Sequence, residues 1–343
     1  MDHPIEIEGL KKIFYVESSG ERGILQRAAE YLTMKKEKVV VFDSLNLKIK
    51  KGEIYGLLGT NGAGKTTLIR ILSTTILPDG GKALVNGLDV TDPKNKDRIS
   101  GTIGVMLGDR SRSFYWRLTA KQNMDFVAAL YNIDKNEKKE RIDYLLDFVG
   151  LEDRRDDYIY NFSTGMLNRL AIARAFIHSP QVLLLDEFMG NLDPMASFEI
   201  SAIIKKLAKI EGKTVLFTTH NSYEAEHLSD RIGVLHNGRI VAEGHPRELK
   251  RKFGSEEARV NVILEKMPKS ARRMLGDLKK LKGAKAVDME ENQVTLSMHR
   301  PGKDLESIIE IIKKNDARIY DLDIHPPSLQ NAFINIIKGE KND

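Results

Sequence analysis

The sequence predicts an α/β fold with a helical insertion, followed by a smaller α+β domain. Strand-like runs such as EIYGLLG and VLLLDE alternate with longer helical stretches up to about Lys252, the pattern of a largely parallel sheet covered by helices. Residues 119–175 carry little strand signal and several apolar-periodic helical segments, so a helical subdomain is expected there. After residue 253 the order strand, helix, two strands, helix, strand, helix predicts a ferredoxin-like accessory domain. We therefore expect domains at residues 1–253 and 254–343.

The composition narrows the classes of protein that remain possible. The chain has 343 residues and no cysteine, which excludes disulfides and thiolate metal sites. Its longest apolar runs, such as VLLL from Val182, are far shorter than the ~20 residues of a membrane helix. The start MDHPIEIEGL lacks the basic and apolar regions of a secretory signal, so we expect a cytoplasmic location. The formal charge of +5 is small for this length and does not indicate nucleic acid as a partner.

The first motif lies in the segment GLLGTNGAGKTTLIR, between an apolar strand-like run and a segment with helical periodicity. It matches G-x-x-x-x-G-K-[ST], the phosphate-binding P-loop. Glycine allows backbone N–H groups to converge on an anion, and the helix N-terminus adds positive potential. The ammonium of Lys65 can reach β- and γ-phosphate oxygens. The alternative interpretation of Lys65 is a solvated lysine at the start of a helix, without a role in binding. The predicted phosphate-binding residues are Gly59, Thr60, Asn61, Gly62, Ala63, Gly64, Lys65, Thr66 and Thr67.

The second motif is VLLLDEF, an apolar strand that ends in two carboxylates, Asp186 and Glu187. Ligands of open α/β sheets bind at the carboxyl ends of the strands. We expect Asp186 to be an outer-shell ligand of Mg²⁺ and the hydroxyl of Thr66 to bind the metal as well as cap its helix. Glu187 is the candidate that polarises the attacking water, with a structural salt bridge as the alternative.

Further segments lie in a fixed order around these two motifs. NFSTGMLNRLAIARAF lies between them, and NLDP and TVLFTTHNSYEAEHLSDR follow. Together these motifs resemble those of the ATP-binding-cassette (ABC) ATPases over about Ile5 to Phe253. The resemblance implies a P-loop NTPase core of ABC type that binds and hydrolyses ATP with Mg²⁺. It also implies that two copies dimerise head to tail, with each ATP between the P-loop of one copy and the signature motif of the other.

The resemblance assigns roles to five further residues. Ser163 and Gly165 fall in the signature motif, and Asp193 falls in the D-loop. His220 takes the position of the switch histidine, and Phe14 in LKKIFYV takes the position that stacks on adenine. The signature departs from the common form L-S-G-G-Q at its first, third and fifth positions, but the serine and the second glycine that approach a γ-phosphate remain. Thr60 also replaces the usual proline of the P-loop.

A larger departure lies in the segment IGVMLGDRSRSFYWRL. The family usually has a glutamine here that senses magnesium, whereas this chain has Gly108 followed by Asp109, and the alignment favours neither. Asp109 can bind magnesium but cannot donate a hydrogen bond as an amide does. It is therefore a weak candidate for a metal ligand.

The resemblance further implies that the chain is the energising subunit of an exporter. The STGM signature, the single cassette and the segment DIHPPSLQNAFINII resemble ATPases of ABC-2-type export systems, although Gln330 stands where glutamate is more common. This implies a separate membrane permease as partner and a location at the cytoplasmic face of the membrane. The alternatives are an importer ATPase and a soluble cassette ATPase that acts on ribosomes or DNA.

Two segments are candidates for contact with the permease. RSRSFYWRL, residues 110–118, combines three arginines with Trp116, and Trp and Arg are favoured interface anchors. Its alternative is packing of Trp116 under the helical subdomain. The insertion at residues 17–38 places Leu25, Ala28, Ala29 and Leu32 on one helical face beside Arg22, Arg27, Lys35 and Lys36. This pattern suits a short amphipathic helix near the permease or anionic lipid, or equally a solvated insertion.

Overall fold

The computed structural model describes residues 2–17, 36–108, 114–190, 192–254, 257–299, 304–325 and 328–339. Most of the 17–38 insertion, Asp109 and residues 110–113, with two of the three arginines of RSRSFYWRL, therefore lie outside the described residues. The chain divides into two compact units, Met1–His245 and Pro246–Asp343. The division falls somewhat earlier than the boundary expected after residue 253, because the helix that begins at Pro246 packs within the second unit. In the described ranges, no helix is long and apolar enough to cross a bilayer.

The strands of the first unit form two sheets. In chain order the strands are β1 (Ile5–Glu17), β2 (Lys36–Ile49), β3 (Ile54–Gly59), β4 (Gly80–Val85), β5 (Leu88–Asp89), β6 (Ile103–Met106), β7 (Val182–Asp186), β8 (Thr214–Thr219), β9 (Arg231–His236) and β10 (Arg239–Gly244). An antiparallel sheet has the order β2–β1–β4–β5, and a larger sheet has the order β10–β9–β3–β8–β7–β6. The strands from β9 to β6 are parallel, and β10 pairs antiparallel at the edge.

Helices cover the larger sheet and form a separate helical subdomain. They are α1 (Lys65–Leu72), α2 (Lys96–Ser100), α3 (Ala120–Leu130), α4 (Lys135–Phe148), α5 (Thr164–Ala175), α6 (Pro194–Lys209) and α7 (Ser222–Leu228). The subdomain contains α3, α4 and α5. Its first helix begins at a capping box, in which the Thr119 hydroxyl accepts from Gln122 N and the Gln122 side chain accepts from Thr119 N.

The apolar run VLLL lies in strand β7, which is buried on both faces of the larger sheet. Leu183 and Leu185 belong to the cluster that includes the helical subdomain, whereas Val182 and Leu184 belong to the cluster beneath the antiparallel sheet. All four side chains are completely buried. A parallel strand buried on both faces reads as a continuous apolar run instead of an alternating one.

The second unit begins with helix α8 (Pro246–Phe253). Its other elements are β11 (Glu257–Lys266), α9 (Ala271–Lys279), β12 (Ala284–Glu290), β13 (Gln293–His299), α10 (Leu305–Lys314), β14 (Arg318–His325) and α11 (Leu329–Gly339). The four strands form one antiparallel sheet with the order β12–β13–β11–β14. Apolar side chains of α9 and α10, among them Met274 and Ile308, pack on one face of this sheet.

This arrangement has the strand order and connections of a ferredoxin-like domain, as the sequence predicts. Helices α8 and α11 are the first and the last element of the second unit, and they contact each other. The Asn335 amide donates a hydrogen bond of 2.9 Å to the carbonyl of Phe253 and so ties the two helices together. Residues 246–253 therefore belong with the second unit.

Candidate active site

An open cleft of about 1020 Å³ lies in the first unit, at the carboxyl ends of β6 and β7. The loop between β3 and α1 forms one wall, and α3 and α5 of the helical subdomain form another. Its lining includes six of the predicted P-loop residues, Asn61, Gly62, Gly64, Lys65, Thr66 and Thr67, together with both carboxylate residues, Asp186 and Glu187. The structure therefore brings the two main sequence motifs together in one cavity.

The P-loop follows directly from a buried strand and requires glycine at two positions. All six residues of β3 are buried, which anchors the loop at its start. Gly62 and Gly64 have φ angles of +81° and +104°, a region that side chains with a Cβ rarely adopt. A Cβ on Gly64 would also lie 2.8 Å from Val41 and from the Phe42 ring of β2. The loop thus keeps its backbone N–H groups free of side chains beside α1.

Lys65 lies inside this loop and is only 4% exposed. Its Nζ donates to the carbonyl of Gly59 at 2.9 Å and to the carbonyl of Thr60 at 3.1 Å. The same Nζ lies 3.3 Å from Oε1 of Glu187, which also lies 3.5 Å from Nδ1 of His220. Glu187 therefore stands between the P-loop lysine and the histidine that follows β8. The arrangement unites three residues that are far apart in the sequence.

Asp186 and Thr66 meet at the floor of the cleft. The Thr66 hydroxyl donates to Asp186 Oδ2 at 2.8 Å, and the Thr218 hydroxyl donates to Asp186 Oδ1 at 2.5 Å. The carboxylate is 4% exposed and is therefore held by hydroxyls on both sides. One carboxylate and one hydroxyl beside a phosphate site are the oxygen ligands that suit Mg²⁺, which keeps several waters and is also bound by substrate phosphates.

These residues fit a nucleotide–magnesium complex and do not form a protein-only metal cage. Within the described ranges, no group of three or more His, Cys, Asp or Glu side chains could hold a metal ion. The cleft instead offers a phosphate cradle at a helix N-terminus, a buried ammonium and two adjacent oxygen ligands. Its donor chemistry thus matches a polyphosphate accompanied by a hard cation.

Thr218 is a site residue that the sequence analysis missed. Besides holding Asp186, its hydroxyl accepts from the backbone N of Glu187 at 3.1 Å, and its carbonyl accepts from the same N–H. Glu187 has a φ of +41°, so these bonds hold it in an uncommon backbone conformation. The only signal in the sequence was the position of Thr218 at the end of an apolar strand, two residues before His220.

The predicted signature and D-loop residues lie at two adjacent helix starts. The Ser163 hydroxyl caps α5 by accepting from Met166 N at 3.2 Å, and the Asp193 carboxylate caps α6 by accepting from Ala196 N at 2.9 Å. A Cβ on Gly165 would lie 3.1 Å from the Cβ of Ala196, so the two starts are in close contact. Neither start lines the cleft that contains Lys65.

Phe14 lies on β1 and also remains outside the lining of the cleft. It pairs with Val39 of β2 and is 37% exposed, and Val41 of the same strand does line the cleft. Asp109, the weak candidate for a metal ligand, falls outside the described residues. The neighbouring Gly108 lines the cleft, and a Cβ on it would lie 3.4 Å from the carbonyl of Asp186.

The far end of the cleft contains residues that the motifs did not indicate. Arg174 of α5 lines it, with its guanidinium carbon 4.9 Å from the centre of the Phe114 ring. Burial lowers the pKa of Arg174 from its ordinary value. Tyr131 lines the same end and stacks on His178 with ring centres 3.7 Å apart. This end joins the helical subdomain to the sheet.

A phosphate cradle after a buried strand, with paired carboxylates at the end of a parallel strand in the same sheet, defines a P-loop ATPase. The ABC transporter family model matches residues 42–190, and a model described as "ATP-binding protein DrrA1-3-like, C-terminal domain" matches residues 244–337. The protein belongs to the ABC transporter family of ATP-binding proteins.

Similar proteins support this membership over most of the chain. An uncharacterized ABC transporter ATP-binding protein of Synechocystis is 31% identical over 300 residues, which cover 87% of this chain and 78% of that protein. The daunorubicin resistance ATP-binding protein DrrA3 of Streptomyces coeruleorubidus is 32% identical over 299 residues, which cover 87% of this chain and 92% of that protein. The methionine import ATP-binding protein MetN of Geobacillus kaustophilus is 34% identical, over 60% of each chain.

Solved structures agree with the fold. The structure of cbiO1 from Clostridium perfringens, part of the ABC transporter complex cbiONQ, has a TM-score of 0.62 and 25% identity, covering 74% of this chain and 92% of that chain. The dimeric structure of MJ0796, a bacterial ABC transporter cassette, has a TM-score of 0.59 and 25% identity, covering 70% of this chain and 98% of that chain. The predicted family, α/β fold class and ATPase activity are confirmed. ATPases of this family bind ATP, function with a membrane permease and dimerise.

Proposed function

We propose that the protein hydrolyses ATP in the cleft described above and thereby powers export through a separate ABC-2-type permease. The observation that carries the hydrolytic part is the contact of Glu187 with both Lys65 and His220. The observation that carries the export part is the second unit, whose match to the DrrA-like C-terminal domain covers residues 244–337.

Phosphate binding is assigned to the P-loop. The backbone N–H groups from Gly62 to Thr67 and the N-terminus of α1 provide fixed positive potential. Lys65 adds a full charge, already oriented by the carbonyls of Gly59 and Thr60. A phosphate that binds this ammonium replaces Glu187 as its ionic partner. That exchange would release the Glu187 carboxylate to face a water molecule.

Magnesium binding is assigned to Thr66 and Asp186. The two side chains are already joined by a 2.8 Å hydrogen bond, so they converge on one point of the cleft. When bound, Mg²⁺ neutralises developing charge on the transferred phosphate. Thr218 holds the other oxygen of the carboxylate and is a positioning residue for the metal ligand.

Activation of water is assigned to Glu187, with His220 beside it. A carboxylate that orients or deprotonates water must lie within hydrogen-bond reach of the water and the phosphate together. The uncommon φ of Glu187 aims its side chain into the cleft from the end of β7. His220 lies 3.5 Å from the same carboxylate and would steady it in the reactive orientation.

A second copy of the chain is assigned to complete the site. Ser163 and Gly165 are placed at the start of α5, where a hydroxyl and backbone N–H groups suit a γ-phosphate. They lie outside the cleft of their own chain, which supports their action on ATP bound by a partner copy. Asp193 caps the neighbouring helix α6, whose Ala196 packs against Gly165, so Asp193 would approach the partner's ATP together with Ser163 and Gly165. The ATP-bound state is therefore proposed to be a head-to-tail homodimer.

The permease is assigned to an aromatic surface outside the cleft, formed by Tyr115, Trp116 and Phe126, which lies next to the cleft because Phe114 contacts Arg174 of its lining. Trp116 is 40% exposed there and meets the Phe114 ring edge-on, with centres 6.4 Å apart. Tyr115 and Phe126 are also exposed and in contact, which provides an aromatic surface of the kind favoured at interfaces. This partner would hold the ATPase at the cytoplasmic face of the membrane. The name of the relative MetN keeps import as the alternative direction.

Affinity purification from detergent-solubilised membranes tests the transport role. We expect a polytopic membrane protein to co-purify in fixed ratio with the tagged chain, and Trp116→Ala to reduce its amount. The exposed Tyr320→Ala variant of the second unit is the matched control and should retain the partner. Recovery of ribosomal proteins or DNA in place of a membrane protein would contradict the proposal.

A further inference from the structure

Asp79 and Lys12 form a small polar cluster next to Phe14, outside the cleft that binds phosphate. Asp79 lies just before β4, and Lys12 and Phe14 lie on β1. The Lys12 side chain is 12% exposed, which is unusually low for a lysine on a strand near the end of a sheet. A lysine that loses most of its hydration needs compensating contacts, and each of them is present in this cluster.

The Lys12 ammonium contacts two oxygen atoms and one aromatic ring. It donates to the carbonyl of Leu77 at 2.8 Å and lies 3.1 Å from Asp79 Oδ2. It also lies 5.1 Å from the centre of the Phe14 ring, within the range of a cation–π contact. The Lys12 ammonium is therefore held by two oxygen atoms and lies over the Phe14 ring.

Asp79 also holds the backbone on which Phe14 is carried. Its Oδ2 accepts from Ile13 N at 2.7 Å, and its own N donates to the carbonyl of Lys11 at 2.8 Å. The hydrogen bond from Ile13, followed by the contact with Lys12, lowers the pKa of Asp79. One carboxylate thus restrains both the strand segment before Phe14 and the cation on its ring.

The restrained ring belongs to the side of the β1–β2 ribbon that packs on the P-loop. Lys12 pairs with Phe42 and Phe14 pairs with Val39, so these side chains share one face. Both Val41 and Phe42 would meet a Cβ on Gly64 at 2.8 Å. At ~3.3 Å per residue, Val39 lies about 7 Å along the strand from Val41. Phe14 therefore lies on the ribbon that contacts the P-loop, next to Val39 and two residues along β2 from Val41, which lines the cleft.

We propose that Lys12 and Asp79 are positioning residues for the base of the bound nucleotide: they fix the Phe14 ring, so that one face is occupied by the Lys12 ammonium and the other is presented to adenine. The inference rests on the proposed function, in which ATP occupies the cleft, and on the stacking of Phe14 on adenine that the family resemblance implies. Pre-ordering the ring before binding reduces the entropy that stacking would otherwise cost.

Calorimetric titration with two probes tests this role, each in the presence of Mg²⁺. ATP carries a base, and inorganic tripolyphosphate does not. We expect Phe14→Ala to weaken ATP binding about fivefold or more, and Asp79→Ala and Lys12→Met to weaken it about three- to tenfold. None of the three should change the affinity for tripolyphosphate. Asp79→Asn, which keeps an oxygen for Ile13 N, should recover part of the loss.

A matched control comes from the same strand. Glu8 on β1 pairs with Lys48 at 3.0 Å and does not contact the cluster, so Glu8→Ala should bind both probes as the parent does. In the Phe14→Ala background, Asp79→Ala should have no further effect on ATP affinity, because its action passes through the ring. A general structural role would instead weaken both probes and add to the Phe14 effect.

The possible failures are distinct. If Phe14→Ala binds ATP as tightly as the parent, base stacking on this ring is wrong and the positioning role falls with it. If Phe14→Ala weakens ATP binding but Asp79→Ala and Lys12→Met do not, the stacking role expected of Phe14 stands and the positioning role is overturned. Thermal unfolding of each variant identifies any that fails to fold, and Asp79→Asn then replaces Asp79→Ala as the deciding variant.

Discussion

The Nζ atom of Lys65 lies 3.3 Å from Oε1 of Glu187, although the two residues are more than a hundred positions apart in the sequence. The same Nζ donates to the carbonyls of Gly59 and Thr60. The ammonium is thus oriented by two carbonyls, and the carboxylate expected to activate water is its ionic partner. In the proposed function, a phosphate competes with Glu187 for this cation, so that nucleotide binding would release the carboxylate.

Replacement of Lys65 by alanine should abolish detectable ATP binding. The substitution removes the principal cationic contact to the phosphates and frees Glu187 inside the same cleft, where its charge repels a polyanion. Titration with a fluorescent ATP analogue measures the effect. Lys51→Ala, a change at an exposed lysine just before β3, is the control. Equal affinity of the Lys65 variant and the parent would refute the assignment.

Glu187→Gln should preserve or tighten nucleotide binding while it slows turnover by ~10²–10⁴-fold. The amide cannot take a proton from water, and loss of the negative charge removes the competitor for Lys65. We expect the ATP-bound variant to elute as a dimer in size-exclusion chromatography, with Glu140→Gln on the exposed side of α4 as the control. Near-parental hydrolysis by a protein that stays monomeric with ATP would show that the sandwich mechanism does not apply.

Thr218→Val should raise the Mg²⁺ concentration needed for half-maximal ATPase activity by roughly tenfold. The change removes a hydrogen bond to Asp186, and such bonds to charged groups contribute about 1.5–3 kcal/mol. Thr218→Ser keeps the hydroxyl and should restore the parental value. The measurement is a magnesium titration of activity at saturating ATP. An unchanged magnesium requirement in the valine variant would contradict the positioning role of Thr218.

Trp116→Ala should leave the basal ATPase rate of the purified subunit nearly unchanged and uncouple it from transport once assembled with its permease. The side chain is 40% exposed and does not line the nucleotide cleft, so its truncation leaves the phosphate contacts intact. The measurements are basal and permease-coupled ATPase rates. Loss of folding or of basal activity would place Trp116 in the core and remove the argument for a coupling surface.

His178 should make folding stability fall on acidification. Burial lowers the pKa of His178 to about 4, and the charges of Arg141 and Lys213 act in the same direction against the hydrogen bond with the Ile103 carbonyl. The unfolded chain binds a proton near pH 6.5, so between pH 6.5 and 4 it holds more protons than the folded protein, and stability decreases as pH falls. The loss attributable to this group is roughly 3 kcal/mol over that window.

Urea unfolding at several pH values measures this dependence. His178→Gln should be less sensitive to pH between 6.5 and 4 than the parent, whereas His227→Gln, a change at an exposed histidine of α7, should behave as the parent does. Parallel pH profiles for the parent and His178→Gln would show that His178 does not stay neutral when buried.

The local motifs were predictable because their chemistry depends on neighbouring residues. The spacing of Gly59, Gly64 and Lys65 predicts the strand-to-helix turn, and Gly62 and Gly64 supply backbone conformations that other residues rarely adopt. The VLLL run predicts a buried strand, which the structure places between two apolar clusters. The strand and helix order after residue 257 likewise predicts the ferredoxin-like unit, because alternation along each strand marks one covered face.

Contacts between distant segments were not predictable in this way. Thr218 carries no motif of its own, yet it bonds both Asp186 and the backbone of Glu187 because β8 lies beside β7 in the sheet. The cluster around Asp79 has the same origin, since Asp79 meets Ile13 only when β1 folds along β4. Sequence spacing contains no information on which strands become neighbours when connections of this length intervene.

The phosphate-binding turn, the paired carboxylates at a strand end and the two-part organisation of the chain follow from the amino-acid sequence, because glycine conformations and apolar periodicity act over a few residues. Contacts between distant segments are needed to place Glu187 between Lys65 and His220, to hold Asp186 by Thr218, and to bring Ser163 and Asp193 together outside the cleft. These relationships arise from the order of strands in the sheet, which is set by burial of both its faces over the whole domain.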